Sequence, residues 1–426
     1  MPVRLRLVAC AVICACLLGL TAVASAADWP QFRGPTGQGT SPDKGLPVAW
    51  SEQNNILWKA ELPGAGASTP ITLGDRVFLT SYAGFNVPGQ PGEMDRLKRH
   101  VLALSLTDGK LLWSKEVPPK LPDSPKVRDD HGYASSTSVV DSERLYVFFG
   151  RSGVFAFSLD GSRQLWQADV GDKVHGWGTA ASLLLSGDLL IVNASVESES
   201  LVALDKRTGI VKWRVPGIKD SWNTPILVPA PDGRSQLVVA IMGKVLSFDP
   251  ASGRPIWSCN TNIPWYMVPS LVSNQGVVYC VGGRGESAGS LAIRLGGAGD
   301  VTASHRLWKT TGKGTNVPSP IFHEGYLYWA HENGTACCAD AKNGQMVYEE
   351  PLPRAGAIYP SPVLADGKLY YVNRSGRTFV LAATPQFQLL ATNDLGRIGA
   401  VNASPAVANG KLLLRSDKFL FCIGQK

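Results

Sequence analysis

The chain has 426 residues, 41 of them Lys or Arg and 34 Asp or Glu, for a formal net charge of +7, with 45 Gly, 29 Pro and only 18% charged residues. This balance suits many short strands joined by tight turns. The basic residues stand singly among acids rather than in runs, which argues against nucleic acid as a partner and describes an ordinary solvated surface. Length alone would allow two or three ordinary domains, but it counts domains poorly where a chain repeats itself.

Residues 1–26 (MPVRLRLVACAVICACLLGLTAVASA) place Arg4 and Arg6 before a long apolar stretch and end on Ala24-Ser25-Ala26. That is the layout of a cleaved secretory signal peptide rather than of a membrane anchor. Two lipobox-like phrases end at Cys10 and Cys16, but the first leaves almost no apolar core before its cysteine, so lipid anchoring is not expected. Nothing later is long and apolar enough to span a bilayer, and the expected location is periplasmic or secreted. Without the signal the chain keeps 39 basic residues against 34 acidic ones, about +5. Cysteines then remain at 259, 280, 337, 338 and 422, an odd set without regular spacing, so neither a disulfide framework nor a zinc or CxxC motif is expected. Residues 27–54 carry no strand pattern yet hold Trp29, Phe32 and Trp50, and are expected to form an extended arm pinned to the rest of the protein.

From residue 55 onward one phrase keeps returning: an apolar strand, a Gly-containing turn, then a strand ending in Trp. It reads VLALSLTDGKLLW (101–113), VFAFSLDGSRQLW (154–166), LVALDKRTGIVKW (201–213) and VLSFDPASGRPIW (245–257). Trp308 and Tyr348 close two further copies. Each unit opens with a small-residue phrase such as STPIT (68–72), PSPIF (318–322) or PSPVL (360–364), followed by a Gly, Asp or Asn turn and a strand dense in β-branched and aromatic residues, as in KLYYVN (368–373). Four short strands per 40–50 residues is the pattern of a propeller blade. First strands fall near 68, 135, 179, 223, 268, 318, 360 and 403, and the last unit stops after its third strand. The segment 55–62 (NILWKAEL) supplies the missing fourth. The expected fold is therefore all-β: an eight-bladed β-propeller over 55–426, closed by pairing the two ends of the array. The closing Trp residues, Trp58 included, are expected to dock between neighbouring blades. Longer insertions occupy 83–100 and 118–131.

The DGKLLW (108–113) and TGIVKW (208–213) phrases resemble the PQQ-like β-propeller repeat family, which is related to quinoprotein alcohol dehydrogenases and to the periplasmic assembly lipoprotein BamB of the outer-membrane Bam complex. The opening DWPQFRGPTGQG (28–39) is similar to the start of mature secreted members of planctomycete type. The resemblance covers residues 28–426 and concerns architecture more than activity.

Residues just before each first strand ring one mouth of a propeller's central channel. Here these are His131, Tyr133, His175, Trp177, Trp222, Asn223, Trp265, Tyr266, Asn316, Tyr359 and Asn402, and they are the candidate ligand-binding set. Aromatic faces with a few amides and imidazoles suit a planar or sugar-like ligand or an apolar peptide side chain. The GxSxG, HExxH and phosphate-loop motifs are absent, so no catalytic residue and no metal ligand is assigned; RGESAGS (284–290) and His331-Glu332 read as hairpin turns. The expected function is a non-catalytic binding scaffold, a monomeric propeller with a protein, peptide or glycan partner and no cofactor. Two alternatives place chemistry at the same mouth. One is a carbohydrate-active enzyme using His131, His175 and Tyr133 for proton transfer. The other follows from the resemblance alone: a quinoprotein in which Cys337-Cys338 would flank PQQ, and Asp129, Asp130 and Asp220 with Asn223 would hold calcium. Adjacent residues of a strand point to opposite faces, so Cys337 and Cys338 are expected to be buried free thiols.

Overall fold

The computed structural model describes residues 27–127, 131–230 and 232–425; the signal-peptide reading of 1–26 and the candidate acids Asp129 and Asp130 lie outside them. Among the described residues the strands form eight four-stranded antiparallel blades around a channel. The first blade is Ile71–Leu73, Arg76–Ala83, Lys98–Ser105 and Leu111–Val117. The last takes three strands from the end of the chain, Ala406–Ala408, Lys411–Arg415 and Phe419–Ile423. Its outer strand is Ile56–Glu61, antiparallel to Phe419–Ile423, as the repeat count requires.

A propeller has no single core. Apolar clusters lie between blades instead: Phe78, Ala103, Val147 and Phe157 join the first two, and Leu327, Trp329, Tyr279 and Val281 join the fifth and sixth. The closing Trp of each copy is what interlocks them. In the outer strand pair of a blade the Trp sits opposite a small residue, Ala103 for Trp113, Ala156 for Trp166, Ala203 for Trp213 and Ala292 for Trp308, with a register shift at that point. A bulge adds twist and turns the ring off its own sheet onto the next blade. There the indole nitrogen donates to a main-chain carbonyl: Trp58 to Leu106 at 2.9 Å, Trp113 to Leu159 at 3.2 Å, Trp166 to Lys206 at 3.1 Å, Trp213 to Pro250 at 3.2 Å and Trp308 to Ala341 at 2.9 Å. The ring face lies on the hairpin Gly. A Cβ on Gly109 (φ +72°) would stand 2.5 Å from Trp58, and one on Gly209 2.7 Å from Trp166. Trp257 departs from the pattern: it donates to Gln236 of its own blade, beneath the segment Gly299–Asp300 that joins this blade as a fifth, parallel strand.

A second ring of interactions lines the channel. In seven of the eight blades a main-chain N–H just before the first strand donates to a hydroxyl of the next blade: Thr69 to Thr137, Thr137 to Ser182, Ser182 to Thr224, Thr224 to Ser270, Ser270 to Ser319, Ser319 to Ser361 and Ser361 to Ser404, all at 2.9–3.0 Å. The small Ser or Thr in phrases such as STP, NTP and PSP is thus a rivet between blades. Across the closing seam, Arg415 of the last blade donates to Ser68 and Thr80 of the first. Complete burial holds the Arg415 pKa down, to about 9.

The segment before the blades crosses one face of the ring and is bonded to several of them. Trp29 exchanges hydrogen bonds with Thr72 of the first blade, and Val140 of the second donates to Pro30. The Gln38 side chain accepts from Ser273 of the fifth blade, Arg33 donates to Pro320 before the sixth, and Thr40–Ser41 adds a parallel strand to the seventh. Asp43 then accepts from Gly410 of the eighth. Apart from the Arg33 contact, these lie at the ends of the first strands, opposite the mouth where those strands begin.

One acid is buried beside the second blade. Glu197 accepts from Thr179, its other oxygen has no hydrogen-bond partner, and loss of solvation lifts its pKa to about 7. The unfolded chain ionises this group near 4.5. Between those two values the unfolded state releases the proton while the folded state keeps it, so stability falls as pH rises and levels off above about 7, a loss of about 3 kcal/mol.

Glu197→Gln is expected to raise the thermal midpoint at about pH 8, to leave it unchanged at about pH 4.5, and to flatten the profile between; a parallel profile would place the pH dependence elsewhere. Gly109→Ala is expected to cost about 2–5 kcal/mol in urea unfolding, from left-handed strain plus displacement of Trp58. Gly74→Ala, at φ +57° with nothing within 4 Å of the added methyl, carries only the strain of about 1–2 kcal/mol. Equal losses would mean that Trp docking contributes no stability at the seam.

Candidate functional site

The first strands run away from the mouth and the second strands return to it. The residues before each first strand and the turns after each second strand therefore meet at the same end. Between them opens a cavity of about 220 Å³ whose wall includes His131, Trp177, Trp222, Tyr266, Asn316, Tyr359 and Asn402. Deeper in, the riveting hydroxyls of Thr69, Thr137, Ser182, Thr224, Ser270, Ser319, Ser361 and Ser404 line it, and Phe32 of the arm reaches it from the opposite face.

One side of the mouth is a continuous aromatic surface. Tyr266 is at its centre, with ring centroids 5.6 Å from Trp177, 5.6 Å from Trp222 and 4.9 Å from Trp265, and His175 meets Trp222 edge-on at 5.2 Å. Three of their ring nitrogens are already used within the protein. Trp222 donates to the Gly178 carbonyl at 2.9 Å, Trp265 donates to Asn316 Oδ1 at 2.9 Å, and His175 Nδ1 accepts from the Trp177 N–H at 3.1 Å. The other side is polar. Arg374 lies 4.7 Å over the Tyr359 ring and donates to Asn402 at 2.9 Å, and Arg284 pairs with Glu332 at 3.2 Å. The cavity wall thus combines aromatic faces with one guanidinium and one carboxylate, those of Arg284 and Glu332, while Arg374 backs Tyr359 and Asn402.

Of the eleven residues picked from the sequence, the seven named above line this cavity, and Trp265 and His175 back it or stand on its rim. Tyr133 and Asn223 do not. Tyr133 is folded under the two insertions, against Tyr82 and Phe85, and its hydroxyl donates to the Ser124 carbonyl at 2.7 Å. Asn223 is turned into the blade, where its amide donates to Ser221, Ala240 and Met267. Both positions look equivalent to the others in the repeat. The insertions claim the first, and main-chain groups left open at the end of a second strand claim the second.

Phe32, Arg284, Glu332 and Arg374 escaped the sequence reading. Three of them lie in second-to-third-strand turns, and antiparallel geometry alone places those turns at the mouth. Nothing local in the arm marks Phe32 as the residue that reaches the channel.

The alternatives can be weighed on the same geometry. For proton transfer, Tyr133 and His175 line a separate space of about 30 Å³ with Arg99, Asp123 and Thr179, whereas His131 faces the central cavity. The Tyr133 proton is committed to Ser124, and burial pushes its pKa upward. For a quinone cofactor, Cys337 and Cys338 are both free and buried, one packed toward the fifth blade and the other toward the seventh. They are not at the mouth and cannot clasp a ring between them. Asn223 spends its side chain on protein atoms, so it is not available to join Asp220 around calcium. Among the described residues, Cys337, Cys338 and Asn223 are thus not placed as this reading requires. Cys338 and Cys422 have another explanation: they are the small residues opposite Tyr348 and Trp58.

Comparison with known proteins agrees with the architecture. The curated protein "Outer membrane protein assembly factor BamB" of Yersinia pestis is 22% identical over 215 residues, 47% of this chain and 52% of that protein, so the match spans about half the length of the relative. Among solved structures, BamB from Moraxella catarrhalis superposes with a TM-score of 0.60 at 14% identity, covering 86% of this chain and 98% of that one. Quinohemoprotein alcohol dehydrogenase from Comamonas testosteroni gives 0.65 at 10% identity, covering 94% and 81%. At such identities the likeness concerns the fold. Residues 39–177 and 173–350 match the PQQ_2 family, described as outer membrane protein assembly factor BamB, and the chain belongs to that family.

Proposed function

We propose that the protein is an exported, periplasmic binding scaffold without catalytic activity, and that its aromatic mouth holds a segment of a protein partner. The observation that carries this reading is the state of the polar atoms around Tyr266. The Trp222 and Trp265 nitrogens, the Asn316 and Asn402 oxygens and the His175 Nδ1 are all engaged inside the protein. Around these engaged atoms the cavity presents ring faces together with Arg284 and Glu332, which suits stacking and charge-assisted hydrogen bonding. The family name supports a protein as the occupant. Among the described residues no helix is long and apolar enough to cross a membrane.

Peptides selected from a random displayed library against the whole protein are expected to bind through this mouth. Trp177→Ala and Tyr266→Ala should each weaken them about 10- to 100-fold while leaving the thermal midpoint within a few degrees, as expected for aromatic anchors. Selected peptides indifferent to both changes would remove the mouth as the binding site. Dye-linked oxidation of alcohols or sugars after addition of PQQ and calcium would overturn the non-catalytic reading.

A further inference from the structure

Away from the aromatic wall, the sixth blade gathers three metal-binding side chains. His331 is in the turn after its second strand, Cys337 is on the third strand, and Glu349 is on the fourth, directly opposite Cys337 in the register. One donor atom from each lies within 4.8 Å of the other two, and His331 Nε2 is 3.7 Å from Glu349 Oε1. Donors around a tetrahedral zinc ion, at bonds of about 2.0–2.3 Å, stand roughly 3.3–3.8 Å apart. The imidazole and carboxylate already have that separation, and the sulfur needs a shift of about 1 Å.

We propose that His331, Cys337 and Glu349 form a site for a borderline-soft divalent cation of the zinc type. A nitrogen, a thiolate and a single carboxylate select zinc or its cobalt and cadmium surrogates over calcium or magnesium, which require mostly oxygen donors. The site is built on rigid parts. Cys337 and Glu349 are fixed by the ladder between their strands, and the His331 N–H donates to the Thr335 carbonyl to close the turn. The sulfur is fully buried between the fifth and sixth blades, whereas the imidazole and carboxylate are partly exposed and leave a path from solvent. Without metal, Lys313 from the segment after the fifth blade's outer strand pairs with Glu349. The cation displaces this ammonium and takes the carboxylate; the thiol gives up its proton to solvent as the metal–sulfur bond forms, with no change of oxidation state. The fourth position is left to water. His331 adjoins Glu332 in the wall of the mouth, so the ion would stiffen the turn from which Glu332 reaches Arg284 of the fifth blade.

Titration of the chelator-treated full chain with Co²⁺ tests this directly. One equivalent is expected to bind with a thiolate-to-cobalt charge-transfer band in the near ultraviolet, and Zn²⁺ should displace it. Cys337→Ser should abolish the band. Because that change lies in packed interior, Glu349→Gln, at the partly exposed edge, provides the second test: affinity should fall about 10-fold or more with the fold intact. Lys313→Gln, which frees the carboxylate, should tighten binding. A charge-transfer band that survives Cys337→Ser, unchanged affinity in Glu349→Gln, or the absence of any stoichiometric binding would each overturn the proposal.

Discussion

The ring rests above all on blades that cannot bury their own large aromatic, those closed by Trp58, Trp113, Trp166, Trp213 and Trp308. The closing Trp stands opposite an alanine at a bulge, so its ring is turned outward, and the next blade supplies the missing surface as a glycine hairpin and a free carbonyl. The glycine is required because any side chain there would occupy the space of the ring, and because the hairpin places it at positive φ. Such a blade is unfinished without the next, and opening the ring at one of these contacts would leave one aromatic and one hairpin exposed. Ring closure removes both.

The two ends of the array meet this constraint differently from the middle. The outer strand of the last blade comes from the start of the chain, and Trp58 on that strand docks onto the first blade. Arg415 and the arm reinforce the same seam, the first by three buried hydrogen bonds and the second by touching most blades in turn. The channel is consequently asymmetric, with the arm and Phe32 at one end and the ring of Trp, Tyr and charged side chains at the other.

The repeat made the fold legible because blade packing is local and periodic. Trp113, Trp166 and Trp213 recur with the same turn glycine, and the strand count followed from them. The mouth was legible only as a set of positions. His131, Trp177, Tyr266 and Tyr359 could be picked from their place before a first strand, but that register does not say which way a side chain turns. Tyr133 and Asn223 occupy equivalent places and face inward, one because insertions of no repeat length cover it, the other because unpaired main-chain groups need its amide. Arg284, Glu332 and Arg374 reach the mouth through turns that looked generic, and the hydroxyl rivets were visible as small residues without visible purpose.

The seam also sets an order of events. The strand Ile56–Glu61 is among the first parts of the blades to be synthesised, yet its partner Phe419–Ile423 follows about 360 residues later. Until then the arm has no complete ring to cross, and the edge of the last-made blade stays available for pairing. Folding of this molecule is thus a closing of a circle in which the earliest segment is placed last. A chain truncated anywhere before the final blade loses the partner of its own beginning.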